Sequence, residues 1–96
     1  MAINITRISH RPSASISFYS PPQNMIDYFN TTWVLPGSIT RTKTLTETGL
    51  TETLMITFIN EATFISFVEN PIMSKFRSDR EIYNNNNNII SYSQKT

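Results

Sequence analysis

Hydrophobic and polar residues alternate from Ser13 to Tyr19, with Ala14, Ile16 and Phe18 separated by Ser15 and Ser17. A period of two predicts a strand with one buried face, and this segment is read as the first core strand. The period then changes. Met25, Ile26, Phe29 and Trp33 recur at three- and four-residue spacing, which predicts a helix with one buried stripe running to about Val34. Ser20-Pro21-Pro22 suits its start, since serine can cap orphan amides and proline has no N–H to lose in a first turn. Pro36-Gly37 ends it, because proline disfavours helical geometry at Leu35 and glycine tolerates a left-handed turn.

Ser38 to Glu47 is dense in threonine, and β-branching favours an extended backbone. Thr40, Thr42, Thr44 and Thr46 fall on one side, Ile39, Arg41, Lys43 and Leu45 on the other, so the segment suits a sheet edge where charges deter foreign strands. Thr48-Gly49 reverses the chain into a return strand, Leu50 to Ile59. Leu54, Ile56 and Phe58 point one way; Met55, Thr57 and Ile59 point the other, as in a central strand covered on both sides. Asn60 can cap the next helix, with Phe64, Phe67 and Val68 as its buried stripe. Asn70-Pro71 interrupts that helix and can begin a second piece, which turns Ile72, Met73, Phe76 and Tyr83 inward and Lys75, Arg77, Asp79, Arg80 and Glu81 mostly outward. Asn84 to Asn88 reads as a connecting loop before a last strand, Ile89 to Ser93. Residues 1–12 read as an N-terminal arm or extra strand, and residues 13–96 as one ferredoxin-like domain.

The predicted order is strand, helix, strand, strand, helix, strand, the split βαβ arrangement of an α+β, ferredoxin-like βαββαβ fold. It places two helices on one face of a four-stranded antiparallel sheet. The first and third strands are expected at the centre, and the second and fourth at the edges. The face bearing Met55, Thr57 and Ile59 then lacks cover, and a second copy is the simplest one. In element order, in the bent helix at Asn70-Pro71 and in the two-sided third strand, the chain from Ser13 to Ser93 resembles the dimeric α/β-barrel superfamily. That group holds antibiotic-biosynthesis-type monooxygenases and haem-degrading enzymes, and the resemblance implies a homodimer. In its haem-degrading branch a histidine on the second long helix ligates iron, with an asparagine and a tryptophan shaping the pocket. Here Trp33 is present, but the only histidine, His10, precedes the domain, which disfavours haem. Its cofactor-free oxygenases hold a phenolic substrate with scattered Asn, Trp, Tyr and Arg residues.

Composition narrows the chemistry. The chain has 96 residues, no cysteine and one histidine, which excludes disulfides, thiolate nucleophiles and histidine-rich metal sites within one chain. No metal and no cofactor is expected. A net charge of +1 supplies no global field for nucleic acid or anionic lipid. No apolar run is long enough for a spanning helix and the start lacks a signal-peptide pattern, so no membrane association and a cytoplasmic location are expected. Only Gly37 and Gly49 are available, too few for a glycine-rich phosphate loop.

The candidate binding residues are Trp33, as an apolar wall of the helix–sheet cleft, and Arg41 and Lys43, as an anion clamp if their face turns inward. His10 reads as an exposed arm residue. Tyr19, Tyr28, Tyr83 and Tyr92 pack well as half-buried residues, and Glu47, Glu52 and Glu61 show no acid–base pairing. The first-ranked reading is a homodimer that binds a small aromatic or anionic molecule in the cleft. A structural assembly protein comes second. An RNA-binding module ranks lower because the third strand lacks a basic-glycine-aromatic motif and has only Phe58 as an aromatic; a cofactor-free monooxygenase ranks beside it.

Overall fold

A computed structural model describes residues 1–95 and contains a four-stranded antiparallel sheet with helices on one face. Strands β1 (Ile3–His10), β2 (Ile39–Leu45), β3 (Thr51–Phe58) and β4 (Ile90–Lys95) lie in the order β2-β3-β1-β4. Helix α1 (Gln23–Phe29) runs into a π-helical turn, Asn30–Val34, and the second crossover consists of α2 (Glu61–Glu69) and α3 (Pro71–Asn86). This is a small α+β architecture compatible with a ferredoxin-like fold. The β2–β3 hairpin, with Gly49 at φ 74 in its turn, follows the sequence pattern closely. So does the Asn70-Pro71 break: the Asn70 side chain accepts from the amides of Ile72 and Met73 at 2.9 and 3.1 Å and starts α3 afresh. Asn60 caps α2 in the same way through the amide of Thr63.

The first strand is corrected. Ser13–Tyr19 pairs with nothing and belongs to the connection between β1 and α1, whereas Ile3–His10, read as an arm or extra strand, lies at the sheet's centre between β3 and β4. The ladder explains the choice, because β3 already has β2 on one side and the proline-free Ile3–His10 segment fills the other. Ser13–Tyr19 lies between Pro12 and Pro21-Pro22 and is held instead by side chains. Arg11 donates to the carbonyls of Gly49 and Ile16 and stacks on Phe18 at 4.6 Å, and the Tyr83 hydroxyl donates to the carbonyl of Ser17.

Ser20 does not cap α1, whose N-terminal boundary falls at Pro22 without a side-chain hydrogen bond. Val68 and Ile72 are exposed on the outer sides of their helices. The asparagine run is not a plain loop. Asn84, Asn85 and Asn86 complete the last turn of α3, and Asn84 is buried. Asn87 forms the C-cap, with its side chain donating to the carbonyl of Tyr83, and Asn88 takes the left-handed conformation at φ 57. Asparagine is among the few non-glycine residues that adopt this geometry readily, which is why the run both ends a helix and turns the chain.

The sheet register divides its two faces. Towards the helices point Ile39, Phe58 and Ile3 in one cross-strand row, then Arg41, Ile56 and Ile5, then Lys43, Leu54, Arg7 and Ser93. Trp33, Ile39, Phe58 and Met73 form the buried cluster, with Phe29, Phe64 and Phe67 packed against it. The core is therefore concentrated at one end of the helix–sheet interface. The other sheet face is open, with Met55 55% and Ile59 57% exposed.

Candidate functional site: a cationic cleft between sheet and helices

Adjoining the core, and sharing Phe29, Ile56, Phe67 and Met73 with it, a cleft of about 530 Å³ lies between the helices and the sheet. Ligand sites commonly fall between about 300 and 1,000 Å³. The floor comes from the sheet: Arg41 and Lys43 of β2, Glu52, Leu54 and Ile56 of β3, Arg7 and Ser9 of β1, and Ser93 of β4. Met25, Ile26 and Phe29 of α1 form one wall; Met73, Phe76, Arg77, Arg80 and Asn84 of α3 form the other. Phe18, Tyr19 and Pro21 of the connection contribute from the side. Tyr19 is fixed there by ring contacts with Phe76 and Tyr83, 5.7 and 5.5 Å between centroids.

Arg7, Arg77 and Arg80 dominate the electrostatics. Strand alternation turns Arg7 inward from β1, where it donates to the Ser93 hydroxyl at 3.2 Å and lies 4.0 Å from Glu81. Arg77 and Arg80 follow Met73 at helical spacing and share its stripe with Phe76. Arg77 donates to the carbonyl of Val68 at 2.7 Å. Several of their guanidinium nitrogens, Nε and one terminal nitrogen of Arg7, a terminal nitrogen of Arg77 and Nε of Arg80, are shut off from solvent and meet no hydrogen-bond acceptor. Burial first, and then the neighbouring charges of Arg7 and Arg77, push Arg80 down from the usual arginine range to about 10, against the pull of Glu81. Burial also lowers Arg7, with Glu81 offsetting part of the shift. Both arginines remain cationic at neutral pH.

A buried donor without an acceptor costs about 1 to 3 kcal/mol, more when charged. In a small domain whose whole stability is about 5 to 15 kcal/mol, such a cluster is a large internal liability. An anion entering the cleft would offset the clustered positive charge, and guanidinium is suited to carboxylate or phosphate through paired, charge-assisted hydrogen bonds.

The residues singled out in the sequence fall in two places. Arg41 and Lys43 face the cleft, at its β2 edge. Lys43 lies 4.0 Å from Glu52, an acid that the adjacent strand brings beside it. Arg41 lies 5.8 Å from the Phe29 ring and has no ion-pair partner among the described residues. Trp33 is 5% exposed and belongs to the core, packed against Tyr28, Phe29 and Phe67, behind the cleft rather than on its surface. Met55, Thr57 and Ile59 lie together on the open sheet face, away from the cleft. His10 is also on that face, its Nδ1 2.8 Å from the Thr51 hydroxyl. The residues that the sequence reading missed are Arg7, Arg77 and Arg80. Their signal was present as inward positions occupied by arginine: Arg7 continues the Ile3, Ile5 alternation, and Arg77 and Arg80 continue the Met73 stripe.

Among the described residues, no group of three or more His, Cys, Asp or Glu side chains could hold a metal ion, and no helix is long and apolar enough to cross a membrane. In comparisons with known proteins, no family model matches the chain, and no curated protein or solved structure matches it significantly.

Proposed function

We propose that the protein binds a small organic anion with an apolar or aromatic body in the helix–sheet cleft. One observation carries this reading: three arginines, Arg7, Arg77 and Arg80, line the same cleft and act on one another's charge, with Glu81 as the acid beside them. Phe29, Phe76, Leu54 and Ile56 supply the apolar surface for the rest of the molecule. Isothermal titration with 2-naphthoate and with its neutral counterpart 2-naphthylmethanol tests it. The acid is expected to bind at least tenfold more tightly than the alcohol, with the difference lost in Arg80→Leu. Equal binding of the two, or none of the acid, overturns the proposal and favours an assembly protein.

We also propose a homodimer through the open sheet face bearing Met55, Thr57 and Ile59, the assembly implied by a dimeric α/β barrel. By register, Asn4, Thr6, Ile8, Thr40, Thr42, Thr44, Thr53, Tyr92 and Gln94 share this face, and no Asp, Glu, Lys or Arg stands among them. Depletion of charge around an apolar centre is characteristic of interfaces. Light scattering after size exclusion is expected to give twice 11.0 kDa, and Met55→Lys to reduce it to one copy. A wild-type monomer at micromolar concentration overturns this assembly.

A further inference from the structure

The cleft floor has cations at both of its sides and an apolar strip between them. Arg7 and Lys43 are in register with the same residue, Leu54, and Arg41 lies one step along beside Ile56. The backbone positions of Arg7 and Arg41 are therefore two strand spacings apart across the sheet and two residues apart along it, about 12 Å on the diagonal. One pole, Arg7 with Arg77 and Arg80, is faced among the described residues by a single acid, Glu81, at the edge of contact with Arg7. At the other pole Glu52 approaches Lys43, which leaves Arg41 as the cation with no carboxylate partner among the described residues. A ligand with one anionic group satisfies the first pole and leaves Arg41 as it stands.

We infer that the preferred ligand is a dianion, with two carboxylate-like groups about 7 to 10 Å apart across a flat apolar spacer, a span that fits between guanidinium groups carried on backbone positions about 12 Å apart. This rests on the anion-binding reading above and sharpens it to a ligand class. The first anionic group meets Arg7, Arg77 and Arg80, the spacer lies on Leu54 and Ile56, and the second group meets Arg41. Phe29 holds the Arg41 guanidinium near the cleft by a cation–π contact, so the second pole is partly preorganised.

Titration of the wild-type protein with 2,6-naphthalenedicarboxylate and 2-naphthoate, two probes with the same spacer, separates the two claims. The dianion is expected to bind about tenfold more tightly than the monoanion. Arg41→Gln is expected to reduce that preference to less than twofold, whereas Arg80→Gln weakens both probes. Circular dichroism melts of each variant establish that it is folded, and the more conservative Arg41→Lys is expected to retain part of the preference. Equal affinities for the two probes, or a preference that survives Arg41→Gln, overturns the dianion inference and leaves the anion site standing. Binding of neither probe overturns the site itself and the inference with it.

Discussion

The row Ile39, Phe58 and Ile3 and the row Lys43, Leu54 and Arg7 come from the same strands, two alternation cycles apart, and both face the helices. The first is closed by Trp33, Met73 and the phenylalanines of α2; the second opens on a cleft. Alternation explains why both rows turn to the same side, but it does not determine how far along the strands the helix layer presses down. That is decided by side-chain chemistry. Where the inward residue is aromatic or aliphatic, burial favours close contact by about 25 cal/mol per Å² of apolar surface. Where it is a lysine or arginine, removing the charge from water opposes contact, and the layers stay apart.

The comparison breaks most severely at its dry end. Phe58 is 2% exposed and packs against Phe64 and Phe67 at ring distances of 5.2 and 5.3 Å. Phe58→Ala is expected to cost about 3 to 5 kcal/mol, as large aromatic truncations in cores do. With Trp33, Ile39, Phe58, Met73 and Ile89 the only buried hydrophobic residues among those described, that loss approaches the whole stability of the domain. Urea unfolding followed by circular dichroism should show a largely lost or non-cooperative transition. A fall of less than about 1 kcal/mol would show that the core does not centre on this row.

The opposite sign is expected in the cleft. Arg80 is pushed down to about 10 by burial and by its cationic neighbours, so the folded state is less favourable for its charged form than the unfolded chain is. Arg80→Leu removes that opposition and adds apolar surface beside Phe76. It is expected to raise the unfolding free energy by about 1 to 2 kcal/mol at pH 7, even though anion binding is lost. The pH dependence has a definite sign. Below pH 10 the native protein keeps the proton and bears the full cost. As pH rises above 10, the native state releases the proton before the unfolded chain does, so the cost is relieved and wild type and variant converge. Urea midpoints at pH 7 and pH 11 measure both effects, and a variant less stable than wild type at pH 7 contradicts the account.

The same arginines explain which parts of the structure were legible in the sequence. The β2–β3 hairpin, the capping asparagines Asn60 and Asn70 and the central, two-sided β3 follow rules that act over a few residues: β-branching, a permissive glycine and a side-chain oxygen within reach of free amides. Strand β1 was obscured because Arg7 occupies an inward position, while Ser13–Tyr19 alternates more cleanly and yet finds no pairing partner. On α3, Arg77 and Arg80 were assigned to solvent because charged residues are ordinarily solvated, although their spacing from Met73 places them on its stripe. Arg41 and Lys43 were legible as sharing a face, but which way that face turned depended on where the helices packed. Trp33 was legible as buried; that the cleft opens beyond it depends on tertiary packing.

The smallest expected effect lies at the cleft rim and tests whether charge matters there only when it is buried. Lys43 and Glu52 approach to 4.0 Å, but the Lys43 side chain is half exposed. An exposed ion pair contributes about 0 to 1 kcal/mol, because water screens the attraction and holding two long side chains together costs entropy. Lys43→Gln is therefore expected to shift the urea-unfolding free energy by less than about 0.5 kcal/mol, whereas Arg80→Leu moves it further and upward. Glu52, whose side chain is 18% exposed, loses only a contact at the outer limit of ion pairing. If Lys43→Gln instead costs more than about 1 kcal/mol, the rim is as desolvated as the Arg80 pole. The division of the helix–sheet interface into a dry core and a cleft whose stabilising contacts are few would then have to be redrawn around the Lys43–Glu52 pair.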